Sequence, residues 1–119
     1  LYCTGIGKVL LAWLEEDELL ALLREESFER RTANTLTSID AYLQELALVR
    51  EQGYGEDHEE FEDNMRCLAA PIRDRFGHVI GGMSVSFPCF RFREELKQDY
   101  VKQLMVASQQ VSSQLGWHP

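Results

Sequence analysis

With 119 residues, 45% of them hydrophobic, the chain has room for one core and not for two domains. Its 12 basic and 20 acidic residues give a formal net charge of -8 and a pI near 4.8, which argues against unaided nucleic-acid binding because no cationic surface is available to neutralise phosphates. No apolar run approaches a membrane span, no signal peptide opens the sequence, and Cys3, Cys67 and Cys89 lack C-x-x-C spacing. This pattern argues against a disulfide framework or a zinc site and predicts a soluble chain in the reducing cytoplasm.

The first residue is Leu1 rather than Met, and a helical pattern begins almost at once, so a chain cut from a longer one is expected. From Thr4 the spacing of Ile6, Val9, Leu10, Trp13 and Leu14 predicts a helix with Thr4 as N-cap. Gly5 and Gly7 stand in its first turn, where each glycine costs about 1 kcal/mol relative to alanine. Two readings account for them: close backbone approach to another element, or N–H groups left free for a ligand. Residues 15–17 break the run, and Leu19, Leu20 and Leu23 predict a second short helix serving the core. Residues 28–36, with Arg30-Arg31 and several turn formers, read as an extended connection with room for a short strand.

Thr37-Ser38-Ile39-Asp40 then predicts a capping box, Thr37 capping and Asp40 three positions on. Ile39, Leu43, Leu46 and Val49 share a face of the helix that follows, and Gly53 terminates it. Residues 54–61 predict a strand carrying Glu56, Asp57, Glu59 and Glu60, an acidic cluster whose plain explanation is a solvated edge or loop. Residues 67–72 and 79–87 predict a hairpin around the Phe76-Gly77 break. In its second strand Met83, Val85 and Phe87 alternate with Gly82, Ser84 and Ser86. A strand packed on one face usually offers charged residues to water on the other, so a small hydroxylated face predicts something compact against it, either a ligand or a covering helix. Residues 90–93 lead into a long helix with Leu96, Tyr100, Leu104, Ala107, Ser108, Val111 and Leu115 on its stripe and Gly116 at its end. Three helices, hairpin-linked strands and a final helix predict an α+β fold with an antiparallel sheet, not a doubly wound parallel one.

Four stretches carry a family likeness: Thr4-Gly5-Ile6-Gly7-Lys8-Val9-Leu10-Leu11-Ala12, Arg50-Glu51-Gln52-Gly53-Tyr54-Gly55-Glu56-Asp57-His58-Glu59-Glu60, Arg66-Cys67-Leu68-Ala69-Ala70-Pro71-Ile72-Arg73-Asp74 and Ser84-Val85-Ser86-Phe87-Pro88. In this order, the sequence resembles the effector-binding domain of the bacterial IclR-type transcriptional regulators. The resemblance implies a GAF-like or profilin-like antiparallel sheet flanked by helices. It also implies that residues 1–119 are a partial effector-binding domain, lacking its first strands, the linker helix and the N-terminal winged helix-turn-helix DNA-binding domain. A sheet without those strands exposes unpaired edges, so they are expected to be supplied elsewhere. The implied function is that of a repressor's sensor, responding to a small carboxylate or sugar-acid effector. Its implied contacts are the Gly5-Ile6 backbone, Asp57, Cys67, Ser84 and Ser86, with no cofactor and no metal. Operator DNA is then gripped by the absent N-terminal domain in a homodimer or homotetramer.

Physically, N–H groups at a helix start and two serine hydroxyls hold a carboxylate without an arginine, while Asp57 accepts from a ligand hydroxyl. Leu10, Trp13 and Met65 are candidate walls; Met83 falls on the other face of its strand. The rival chemistry is thinner. His58 with Glu59, Glu60 and Glu62 makes a poor metal site, since adjacent strand residues point to opposite faces. A Cys67 nucleophile needs a base. His78 sits at the turn and His118 in the tail, which leaves His58, without an oxyanion-hole motif. Gly5-Ile6-Gly7-Lys8 lacks the long glycine loop and the preceding strand of a P-loop. The expectation is therefore a sensor and not an enzyme, with a cysteine-dependent enzyme acting on a small acid, or a ligand-free GAF-like dimerisation module, as the alternatives.

Overall fold

The computed structural model describes residues 4–25 and 30–118; Cys3 and Phe28 lie outside the described residues. Helix α1, Gly5–Ala12, starts where expected, with the Thr4 hydroxyl accepting the Gly7 N–H at 3.0 Å. Helix α2, Glu16–Glu25, buries Leu19 and Leu23. Helix α3, Ile39–Gln52, buries Tyr42, Leu46 and Val49 and ends on Gly53 at φ 88°, whose N–H returns to the Val49 carbonyl. Its cap is Ser38, which accepts the Ala41 N–H at 3.1 Å, and not Thr37. The expected box with Asp40 therefore does not form; Asp40 lies in the first turn, where its charge meets the positive end of the helix.

Strands β1 (Gly55–His58), β2 (Met65–Arg73) and β3 (Val79–Pro88) form an antiparallel sheet in that order. The fold is α+β. Strand β1 stops short of the expected Phe61 because Glu59 turns the chain at φ 58° and its N–H closes onto the Met65 carbonyl. Residues 30–36 form no strand. They act as a clamp: the Thr32 and Thr35 hydroxyls donate to the Glu59 and Glu60 carbonyls, and the Asn34 amide to that of His58. At the hairpin tip Asp74 Oδ1 accepts from the Phe76 and His78 N–H groups, and Gly77 takes the positive φ of 81° that the turn needs.

Each face of the sheet carries its own core. Val9, Leu11, Leu19, Tyr42, Leu46, Val49 and Ala69 bring α1, α2 and α3 together against one face. On the other, Leu68, Ala70, Phe92, Val101 and Leu104 join helix α4, Lys97–Gln114, with Met83, Val85 and Phe87 packed alongside. The inward stripe of α4 runs Val101, Leu104, Ser108, Ser112, while Leu115, expected on it, is 47% exposed. Leu115 would continue those steps of three and four, but it is the C-cap beyond Gln114, where the chain leaves the helical path. Serine tolerates the interior because its hydroxyl bonds back into the helix: Ser108 to the Met105 carbonyl and Ser112 to that of Ser108.

Candidate functional site

Register brings the expected effector contacts together. Asp57, Cys67 and Ser86 are directly opposite one another across the three strands, and Gly55, Ala69 and Ser84 form the next rung. Residues opposed in this way project to the same side, here the side covered by α1. The first turn of α1 lands beside them. A Cβ built on Gly5 would meet those of Ala69 at 3.3 Å and Cys67 at 3.8 Å, and one built on Gly82 would lie 3.4 Å from Ile6. A Cβ on Gly55 would stand 3.0 Å from the Gly5 carbonyl oxygen. Close backbone approach therefore accounts for glycine at position 5, whatever its amide binds.

Gly5, Ile6, Asp57, Cys67, Ser84 and Ser86 thus share one small region, and their side chains differ sharply in freedom. Ser84 and Ser86 are exposed. Cys67 is half-buried with Sγ 3.1 Å from Ser86 Oγ, and burial, only partly offset by that contact, pushes its thiol up and keeps it protonated. Asp57 is 4% exposed, and its Oδ1 accepts the Glu60 N–H at 2.8 Å. Burial pushes its carboxyl up, against the opposing pull of that N–H and of Lys8. Of the candidate walls, Leu10 is half-buried and Trp13 sits away from these rungs, with Arg73 over its ring at 5.0 Å.

Beneath the rung lies a charged cluster that the pattern did not suggest. Lys8 is fully buried. Its ammonium donates to the Glu56 carbonyl at 2.6 Å, the Glu60 carboxylate at 2.8 Å and the Glu45 carboxylate at 3.1 Å. Three partners use all three of its donors, so it has none left for a ligand. Burial also pushes Glu60 up, with Lys8 opposing. The acidic run is thus no solvated edge: Asp57 and Glu60, 4% and 7% exposed, close over an interior cation. The available clue was a lysine between Gly7 and Val9 in a helix with little room for charge.

The opposite face holds a second network. Arg66 lies under the Phe92 ring at 3.7 Å and pairs with Glu56 and Glu94, while Lys97 reaches Glu56 at 2.6 Å. Burial pushes Glu56 up, but its bonds to Lys97 and Arg66 outweigh that and hold it below the usual carboxylate range. These contacts pin α4 to β1 and β2. His58 is opposite Arg66 in register and so projects to this face, away from Cys67. The base that a Cys67 nucleophile would need is therefore on the wrong side of the sheet. Among the described residues no group of three His, Cys, Asp or Glu side chains could hold a metal ion, and no helix is long and apolar enough to cross a membrane.

Residues 1–113 match the family described as bacterial transcriptional regulator IclR C-terminal. The HTH-type transcriptional regulator KdgR of Escherichia coli K12 is 52% identical over 118 residues, covering 99% of this chain and 45% of that protein. KdgR of Dickeya chrysanthemi is 49% identical, covering 99% of this chain and 39% of that protein. The chain thus spans less than half the length of these relatives. The crystal structure of the C-terminal domain of E. coli KdgR superposes with a TM-score of 0.92, covering 98% of this chain and 71% of that one.

Proposed function

The chain belongs to the IclR-type bacterial transcriptional regulators, and from that premise we propose that it is the effector-sensing part of a cytoplasmic repressor, binding a small carboxylate or sugar acid. The observation that carries the reading is the rung Asp57–Cys67–Ser86 with Ser84 beside it and the first turn of α1 alongside. Two hydroxyls and the amides of a helix start favour an anion without a free cation, and a carboxyl at the end of the rung selects ligands that also carry a hydroxyl. Operator binding falls to a winged-helix domain outside these residues, in a homodimer or homotetramer whose affinity for DNA the effector shifts. That shift is limited by the effector's differential affinity for the two assemblies.

A thermal-shift screen of small organic acids tests this directly, because a ligand at a hundred times its dissociation constant adds about 2.7 kcal/mol to stability. Ser84→Ala and Ser86→Ala are each expected to weaken the best acid about tenfold to a hundredfold, the loss of roughly 1 to 3 kcal/mol that an unpaired ligand oxygen costs. Asp57→Ala should act most on acids with a hydroxyl beside the carboxylate. If all three variants bind as the wild type does, the effector sits elsewhere. Were no acid to raise the melting temperature, the reading would give way to a ligand-free dimerisation module.

Two further outcomes separate the sensor from its rivals. Cys67→Ser should leave folding nearly intact and alter the response to effector; a turnover activity lost with the thiol would instead identify an enzyme. Residues 1–119 alone, at a net charge of -8, should not shift operator DNA in a gel that the intact protein shifts. Tight sequence-specific binding by those residues would overturn the assignment.

A further inference from the structure

We propose that Lys8 is a positioning residue of this effector site, a role that rests on the sensor reading above. Its ammonium touches no ligand in this proposal; it sets the distance between the two sides of the site. Lys8 lies on α1 within a turn of Gly5 and Ile6, and its bonds reach α3 through Glu45, β1 through the Glu56 carbonyl and the β1–β2 connection through Glu60. Two of those partners govern Asp57. Glu56 precedes it on the strand, and Glu60 holds Asp57 Oδ1 with its N–H while its carboxylate accepts the His58 N–H at 3.1 Å. One buried cation therefore joins the segment carrying the Gly5-Ile6 amides to the segment carrying the Asp57 carboxyl.

General stability does not require this arrangement. Replacing a buried ion pair by well-packed apolar groups is often neutral or stabilising, so a retained pair suggests a demand for geometry rather than for stability. The demand is visible in the packing. The Gly5 end of α1 is already seated against Ala69 and Cys67 of β2, so loosening the Lys8–Glu60 bond frees the segment that holds Asp57 while the α1 amides and the Ser84 and Ser86 hydroxyls stay where they are. A site held too loosely by its supporting residues loses the ligands that need every contact at once.

The test uses the intact protein and a fixed panel: glycerate, gluconate and glucuronate, with propionate and hexanoate as partners without hydroxyls. Lys8→Met combined with Glu60→Gln removes the cation and the charge it neutralises together. The double variant is expected to melt close to the wild type yet bind the hydroxy acids about tenfold more weakly, with the plain acids unaffected. Glu60→Ala, which leaves Lys8 paired with Glu45 and the Glu56 carbonyl, should show the same selective loss and guards against a double variant that does not fold. Unchanged affinities, or losses that fall equally on both classes of acid, would reduce Lys8 to a structural residue. A wild type that binds none of the panel would overturn the inference differently, by removing the sensor reading beneath it.

Discussion

Leu46→Ala is expected to cost about 2–5 kcal/mol of folding stability, the range for emptying a fully buried leucine site. Leu46 has no exposed surface and lies in the core that holds α1, α2 and α3 on the sheet, with Val9, Tyr42 and Val49. The loss combines the transfer of the missing methyl groups with the cavity left behind. Against the roughly 5–15 kcal/mol that keeps a typical domain folded, it is a large fraction. Leu48, two positions on, is the control, since it is 46% exposed on the same helix; its replacement by alanine should stay within about 0.5 kcal/mol. Urea denaturation of both variants checks the pair, with the midpoint moving and the slope unchanged. Equal midpoints for the two variants would mean that α3 is not seated as described. The effect reaches the proposed function as well, because α3 packs against the helix whose first turn lies at the proposed effector site.

Which parts of this molecule could be read from the sequence follows from which forces are local. The hairpin was legible because Gly82, Ser84 and Ser86 alternate with Met83, Val85 and Phe87, and alternation on a pleat has one geometric outcome. The ends of α3 were nearly so, yet the cap fell to Ser38 and not Thr37: both side chains can cap, and the start of the first helical turn decides between them. On α4 Ser108 takes its expected place on the stripe, while Leu115 keeps the spacing yet is exposed because the helix ends at Gln114, an end that a 3.6-residue period does not specify. What was not legible at all is non-local. Lys8 meets Glu45, Glu56 and Glu60 across 37 to 52 residues of chain, and although its place between Gly7 and Val9 hints at burial, nothing nearby in sequence names its partners. The same applies to the acidic run, where alternation splits neighbouring residues between two faces. Glu56 goes to the Arg66 network and Asp57 to the rung with Cys67 and Ser86, a division that register fixes and composition does not.

The second large effect concerns Lys8 alone. Lys8→Met is expected to destabilise the protein by about 3–5 kcal/mol near neutral pH, because it leaves a buried carboxylate without its cation. The size of the loss should depend on pH, with a sign that the carboxyls fix. Asp57 and Glu60 have their pKa values raised by burial, so their contribution to stability is present below the ordinary carboxylate range and is lost as pH rises through their folded values. In the wild type Lys8 limits that loss. Without it Glu60 shifts further upward, and the penalty at neutral pH grows while the protonated form is untouched. Glu56 runs the other way: held low by Lys97 and Arg66, it contributes above the ordinary range and is lost as pH falls. The clean window therefore lies from neutral down to just above the ordinary carboxylate value, about pH 7 to about pH 5. Urea denaturation across that window should show the gap between wild type and Lys8→Met narrowing steadily on acidification, and Lys8→Met with Glu60→Gln showing little gap at either end. A gap of constant size would mean that the methionine variant fails through poor packing and not through an unpaired charge, and the electrostatic account of the cluster would have to be given up.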